Sequence, residues 1–276
     1  MTIQSVYQQA LQSVGIGAVD TFAIHQLLQF HNRIPSIDML LTNLDRQMLD
    51  YQAFINNFQR LKDGEPLAYI LGYTTFLGLT IGVDKNVLIP RQETEELVMI
   101  VSKLFPDISN VHVIDVGTGS GAIALALKSL RPHWRVMATD ISQPALNVAK
   151  ANAKKLQLDV SFFQGDGLKM MATSYNQNIN IIVSNPPYVE DEAQLDPSVK
   201  QFEPHLALLA KPNTKFYQQY LQEGKRLLNA KGIFAFEIDP TLEKPLQDIT
   251  LSMYPKARWT FLKDINGKTR FALLYT

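Results

Sequence analysis

From Val111 to the C-terminus, short apolar runs alternate with amphipathic stretches. Val111–Val116, Trp134–Thr139, Val160–Gln164, Ile179–Ser184 and Gly232–Ile238 read as strands buried on both faces. Ala122–Leu130, Ala145–Leu156, Phe216–Leu228 and Leu242–Met253 carry helical periodicity between or after them. Trp259–Leu262 and Phe271–Tyr275 read as a terminal strand pair. Strand and helix in alternation predict an α/β fold, a parallel sheet with crossover helices.

Residues 1 to about 65 lack strand alternation and read as helical. Tyr51, Phe54, Ile55 and Phe58 recur at helical spacing within a segment from about Asp45 to Leu61, and Gly64 with Pro66 supplies a stop. Leu27, Leu28, Phe30, Ile34, Ile37 and Leu40 suggest two or three shorter helices. Thr75–Ile81 and Val87–Ile89 flank Asp84-Lys85-Asn86 and read as a hairpin. Pro90 to Glu96 opens a helix through about Leu104, with Thr94 as a cap and acids in the first turn, where the helix dipole favours them. The predicted division is a helical domain at 1–68, a β-hairpin linker at 69–90 and an α/β domain at 91–276. The first of these reads equally as a packing cap or as a partner-recognition module.

The 276 residues suffice for a sizeable core, and 26 basic residues balance 26 acidic ones. That balance offers no global attraction to nucleic acid or to a membrane surface. There is no cysteine, which excludes thiol chemistry and disulfides. No basic leader with an apolar core and no membrane-length apolar run is present, so a soluble cytoplasmic protein is expected. The five histidines, His25, His31, His112, His133 and His205, lack metal-ligand spacing, and no metal site is expected.

The strand Ile179–Ser184 runs directly into Asn185-Pro186-Pro187-Tyr188. Ligands in open α/β sheets sit beyond the carboxyl ends of strands. The two prolines carry no N–H and restrict the residues before them to extended conformations. The turn therefore presents carbonyl acceptors, and the side-chain oxygen of Asn185 adds another. Two converging acceptors grip an NH2 group by its two hydrogens, and Tyr188 adds a flat face for a planar group. A plain proline-rich surface turn is the alternative.

Asp115 and Val116 lead into Gly117-Thr118-Gly119-Ser120-Gly121, between the first strand and its helix. The spacing is G-x-G-x-G, not the dinucleotide fingerprint, and a tight strand-to-helix turn would look the same. The next strand ends in Asp140, where a carboxylate can accept both hydroxyls of a ribose. Gly165-Asp166-Gly167 ends the third strand; Asp166 reads either as a turn residue or as a partner for an adenine amine. An adenosine cofactor beside a nitrogen clamp fits methyl transfer from S-adenosylmethionine, because a sulfonium is already electrophilic and the protein has only to position the nitrogen.

Together these motifs resemble a class I (Rossmann-like) S-adenosylmethionine-dependent methyltransferase of the amino-nitrogen type. The Asn-Pro-Pro-Tyr motif is shared with N6-adenine methyltransferases of DNA or RNA, which remain the alternative function. A non-catalytic binding module on the same fold is a third reading. Further segments resemble the HemK/PrmC family of protein-(glutamine-N5) methyltransferases: Glu65–Gly72, Leu88–Glu95, Phe202–Leu208 and Asp264–Arg270. The resemblance runs from about residue 60 to the C-terminus. It implies that the 91–276 domain is catalytic and methylates the glutamine of the Gly-Gly-Gln motif in class I peptide chain release factors.

By that resemblance Asn185 and the Pro186 carbonyl hold the glutamine amide, Pro187 stiffens the turn and Tyr188 packs on the amide plane. Gly117, Thr118, Gly119, Ser120, Gly121, Asp140, Asp166 and Gly167 hold the cofactor, with Asn185 bordering it. A monomer is the default expectation, and the balanced charge argues against direct nucleic-acid contact. Two positions depart from the family pattern: Gln201, where a basic residue is expected, and Asp239-Pro240 after Glu237-Ile238, where a glycine is more usual.

Overall fold

A computed structural model of the chain describes residues 1–14, 20–106, 110–173 and 178–276. It divides into two compact units, residues 1–73 with 197–202, and residues 74–196 with 203–276.

The first unit is helical: α1 (Ile3–Ser13), α2 (Thr21–Asn32), α3 (Ile37–Leu41), α4 (Tyr51–Lys62) and α5 (Leu67–Leu71). Its core gathers Ile3, Val6, Ile24, Leu27, Leu28, Leu40, Phe54, Phe58 and Ile70. Side chains of Thr2, Asp20, Ser36 and Asp50 accept backbone N–H groups at the starts of α1 to α4, satisfying donors the helices leave unpaired. The Asp50 cap explains why α4 begins at Tyr51 and not near Asp45 as periodicity suggested.

Two short strands, β1 (Tyr73–Phe76) and β2 (Leu79–Gly82), follow. They turn at Leu77 and Gly78, both with positive φ (45° and 78°). The hairpin is therefore tighter and earlier than expected: Val87–Ile89 is not a strand, and Asp84–Asn86 is not its turn. The Leu77 N–H donates to Glu95, and the Asn152 side chain clamps both backbone groups of Gly82 at 2.8 and 2.9 Å.

The larger unit continues through α6 (Gln92–Ser102), β3 (His112–Val116), α7 (Ala122–Leu130), β4 (Arg135–Asp140), α8 (Gln143–Leu156), β5 (Ser161–Gln164) and β6 (Ile179–Ser184). The short α9 (Pro197–Phe202) belongs to the first unit, and α10 (Lys215–Gly224), β7 (Leu228–Glu237), α11 (Glu243–Met253), β8 (Arg258–Lys263) and β9 (Thr269–Tyr275) complete the second. Leu228 opens β7 and does not end the preceding helix, contrary to expectation.

The seven-stranded sheet has the order β5-β4-β3-β6-β7-β9-β8. Strands β3 to β7 pair in parallel, and β9 pairs antiparallel with both β7 and β8. The chain steps outward from β3 to β4 and β5, then returns to the other side of β3 with β6. That reversal opens a crevice at the carboxyl ends of β3 and β6, the position where such sheets take ligands. Because Asp115 lies beside Val183 in the ladder, the segments leaving the two strands start side by side. The buried Ser184 hydroxyl donates to the Val116 carbonyl at 2.6 Å and ties the two strand ends together. Among the described residues no helix is long and apolar enough to cross a membrane.

Candidate active site

A cavity of about 470 Å³ opens over this crevice. Its wall includes Gly117 to Ser120, Asp140, Gly165 to Gly167, Asn185 and Pro187. The two motifs that the sequence placed on different strand ends thus share one cavity. The volume falls within the range of small-molecule sites.

The glycine loop is built from the strand ends outward. Gly117 and Thr118 donate their N–H groups to the Thr139 carbonyl at 2.8 and 3.0 Å, which folds the loop back against the end of β4. Gly121 has φ +85°, and an added Cβ would lie 3.1 Å from Leu125 Cδ1 and 3.2 Å from Ala149 Cβ. Only glycine fits there without strain, and α7 and α8 approach closely because of it. At Gly119 an added Cβ would meet nothing within 4 Å, so open space borders the loop.

Asp140 caps this arrangement. One carboxylate oxygen accepts the Gly119 N–H at 2.8 Å and the other the Ser142 N–H at 2.9 Å. Each oxygen keeps a further lone pair. Burial pushes the carboxyl pKa upward, while the backbone N–H groups of Ser142, Gly119 and Ile141 act against that shift. Additional hydroxyl donors would favour the ionised form further. Beneath the loop Asp115 is fully buried, and desolvation pushes its pKa up to about 7 despite hydrogen bonds from Thr118 and Ala124. Its Oδ2 accepts the Thr118 hydroxyl at 2.5 Å, and its Oδ1 has no hydrogen-bond partner.

Gly167 has φ +67°, and a Cβ there would lie 2.5 Å from Glu223 Oε2. The same oxygen accepts the Leu168 N–H at 2.6 Å and holds the loop. Asp166 borders the cavity, but both its oxygens are engaged, one by Gln219 at 3.0 Å and the other by Lys169 at 2.5 Å. The Gln219 bond, then the Lys169 bond, holds its carboxyl below the usual carboxylate range.

On the opposite side, the Asn185 Nδ2 donates to the Thr94 hydroxyl at 3.1 Å, and that hydroxyl donates to the buried Glu237 carboxylate at 2.7 Å. Among the described residues the Asn185 Oδ1 has no hydrogen-bond partner and is left for a donor. Pro186 is buried and, unlike Asn185 and Pro187, does not line the cavity. Tyr188 lies outside the cavity wall and packs on the sheet's apolar cluster. Its hydroxyl is pushed up to about 12, by burial first and then by the Glu237 carboxylate. After the motif, Val189 exchanges backbone hydrogen bonds with Leu208 and Ala210, fixing the exit of the turn.

Several contacts here did not follow from the sequence reading. Thr94 lies inside α6 and is no cap; its hydroxyl serves the relay to Glu237. Arg91 pairs with the buried Glu203 at 2.6 Å, and the Glu203 carboxylate also accepts the Ile89 N–H. This draws residues 85–91 onto the cavity wall, where Asn86, Val87 and Pro90 line it. Phe216 and Tyr220 of α10 line it as well. Only the helical spacing around Phe216 hinted at these, and it does not distinguish core from cavity. Asp239 accepts the Thr241 N–H and caps a short turn, so the departure from glycine there is absorbed locally. Among the described residues no group of three metal-ligating side chains could hold an ion.

The family model for the methyltransferase small domain matches residues 96–203. The chain is similar to the release factor glutamine methyltransferase of Enterococcus faecalis, 41% identical over 211 residues, covering 75% of each chain. It is 37% identical to that of Flavobacterium psychrophilum over 255 residues, covering 90% of this chain and 86% of the relative. The corresponding Bacillus subtilis protein is 39% identical over 224 residues, with 79% and 77% covered. Among solved structures, the hMettl16 catalytic domain matches with a TM-score of 0.57 at 18% identity, covering 83% of this chain and 84% of that one. The ribosomal protein L11 methylase of Lactobacillus delbrueckii subsp. bulgaricus matches with a TM-score of 0.50 at 21% identity, covering 70% and 83%. At such identities these two bear on the fold alone.

Proposed function

This chain belongs to the release factor glutamine methyltransferase family, and from that premise we propose how its residues divide the work. The enzyme is an S-adenosylmethionine-dependent methyltransferase that modifies the side-chain amide nitrogen of a release-factor glutamine. S-adenosylmethionine supplies an activated methyl group, and the chain's own residues bind and aim the partners. We infer that the substrate segment is the Gly-Gly-Gln motif of a class I release factor and that the enzyme works in the cytoplasm as a monomer, where translation factors are found.

The observation that carries the assignment is the shared cavity: glycine loop and Asp140 on one side, Asn185 on the other. The residues present fit the cofactor. Gly117 to Ser120 would lie against it, with Gly121 letting the loop turn tightly into α7; open space at Gly119 leaves room for it, and the remaining lone pairs of Asp140 would accept ribose hydroxyls. Gly165 to Gly167 would border the base, with Asp166 acting through its hold on Gln219 and Lys169.

Opposite the loop, Asn185 Oδ1 and the Pro186 carbonyl would each accept one N–H of the glutamine amide. An amide nitrogen is a weak nucleophile because its lone pair is delocalised. Fixing both N–H bonds turns that lone-pair axis toward the methyl group, which is a positional contribution to rate. A neutral Asn does this without an unpaired buried charge. Pro187 stiffens the turn, and Tyr188 braces it from the sheet side. The N6-adenine alternative is weaker, because the chain's charge is balanced and phosphate contacts dominate nucleic-acid affinity.

Incubating the purified protein with methyl-labelled S-adenosylmethionine, a class I release factor and total RNA in one mixture tests the reading. Label on the Gly-Gly-Gln glutamine is expected, located by peptide mass. Label in nucleic acid with none on the factor would overturn it.

A further inference from the structure

An asparagine acts as an acceptor only if its amide is turned the right way, and the two orientations are nearly identical in shape. Something must choose between them. Among the described residues the Asn185 side chain meets one polar group, the Thr94 hydroxyl, at 3.1 Å. A hydroxyl has one proton and two lone pairs. Glu237, at the end of β7 and 3% exposed, stands 2.7 Å from that hydroxyl and takes the proton. Thr94 then has only a lone pair to offer, so Asn185 must present Nδ2 to it and turn Oδ1 away. The three residues come from different elements, α6, the β6 exit and β7, and 143 positions separate Thr94 from Glu237. The Tyr217 hydroxyl, from α10, donates to the Glu237 backbone carbonyl at 2.8 Å and fixes the strand end.

We propose that Thr94 and Glu237 are positioning residues for methyl transfer: the ionised Glu237 forces the Thr94 hydroxyl to accept, and this holds Asn185 with its carbonyl oxygen toward the substrate amide. The proposal rests on the function given above and assigns the part of the site that selects an NH2 donor. A protonated Glu237 reverses the logic. It donates to Thr94, the hydroxyl proton is released toward Asn185, and both amide orientations become equally satisfied. Burial pushes the Glu237 pKa up to about 7, opposed by the Thr94 bond and the positive Arg270 and Arg91, and assisted by Glu93. Tyr188 and Tyr217 also face this carboxylate and stay neutral, since burial raises both. The relay therefore switches near neutral pH.

The test uses the full-length enzyme with a release factor, comparing Thr94→Val, Thr94→Ser and Glu237→Gln with wild type. Valine keeps the shape and removes the hydroxyl, so kcat should fall about tenfold, the worth of one hydrogen bond. KM for the release factor and cofactor affinity by calorimetry should move less than twofold, and Thr94→Ser should restore most of the rate. A glutamine at 237 can donate or accept and imposes no orientation. Its rate relative to wild type should be about one-half near pH 8, since two equally satisfied orientations leave the productive one half populated, and approach unity near pH 6, where the wild-type carboxylate is also neutralised. Equal losses in the Val and Ser variants, a loss confined to cofactor affinity, or a ratio that does not change with pH would each overturn the proposal. Should Thr94→Val fail to fold, the Glu237→Gln ratio decides alone. Wild-type enzyme that leaves the release factor unlabelled defeats the functional reading itself, and the relay with it; a labelled factor with unaffected variants defeats only the relay.

Discussion

Replacing Asn185 separates the two halves of the site. In Asn185→Ala the acceptor for one substrate N–H disappears, and a buried hydrogen bond lost this way costs about 1–3 kcal/mol. If the bond is made mainly in the transition state, kcat/KM falls by roughly fivefold to a few hundredfold. The Thr94 hydroxyl keeps its bond to Glu237, so the truncation strands no donor on the protein side. The glycine loop and Asp140 hold each other without Asn185, and cofactor affinity should change far less than turnover.

Asn185→Asp sharpens the test. Aspartate keeps the shape and two acceptors, yet it would need the Thr94 proton that Glu237 already holds. Two carboxylates would then converge on one hydroxyl in a half-buried place, an arrangement that raises a pKa or breaks the contact. The expected order of single-turnover rates near pH 8 is wild type, then Ala, then Asp, with the Asp variant recovering relative to Ala as pH falls. Rates come from methyl label transferred to a release factor, and affinities from calorimetry with the cofactor. An Asp variant as active as wild type, or an Ala variant that loses cofactor binding but not turnover, would refute the reasoning.

Other consequences are direct. Asp140→Ala removes the acceptor for Gly119 and Ser142 and should weaken cofactor binding at least tenfold by calorimetry while release-factor affinity stays put; the reverse pattern would misplace the ribose. Gly121→Ala forces a left-handed φ on a residue with a Cβ and presses on Leu125 and Ala149, so a loss of about 1–3 kcal/mol in urea unfolding is expected. Asp115 is protonated in the fold up to about pH 7, whereas an unfolded carboxyl ionises near its ordinary 3.8. The folded state therefore binds the extra proton between those values, and its stability falls as pH rises through them. Asp115→Asn should accordingly gain stability over wild type at pH 8 by urea unfolding and show less gain at pH 4; a pH-independent difference would contradict the burial argument. Ser184→Ala strands the buried Val116 carbonyl and should lower the unfolding free energy by about 1–2 kcal/mol.

Local chemistry made much of this molecule readable from its residues. Helix Ala122–Leu130 and strand Ile179–Ser184 occur at the bounds their patterns predicted, because each lies between residues that stop or restrict the backbone, the glycine loop before one and Asn-Pro-Pro after the other. Glycine and proline act through their own φ, so the glycine loop and the Asn-Pro-Pro turn could be located without knowing the fold. Edges governed by caps were less visible: Asp50, not periodicity, sets the start of α4. The hairpin was misplaced because two β-rich runs admit more than one pairing, and the turn at Leu77-Gly78 with the Asn152 clamp on Gly82 chose between them. The partners of Asn185 were invisible for a related reason. Thr94 looked like a cap, and Glu237 like the end of an apolar strand. The residues alone determined which groups could carry methyl-transfer chemistry and on which strand ends they sit. Only the sheet order decided that β3 and β6 lie side by side, that their loops meet in one cavity, and that a carboxylate 143 positions from a threonine accepts the hydroxyl that the asparagine meets. Hydrophobic periodicity records which face of an element is buried; it carries no record of the neighbour that buries it.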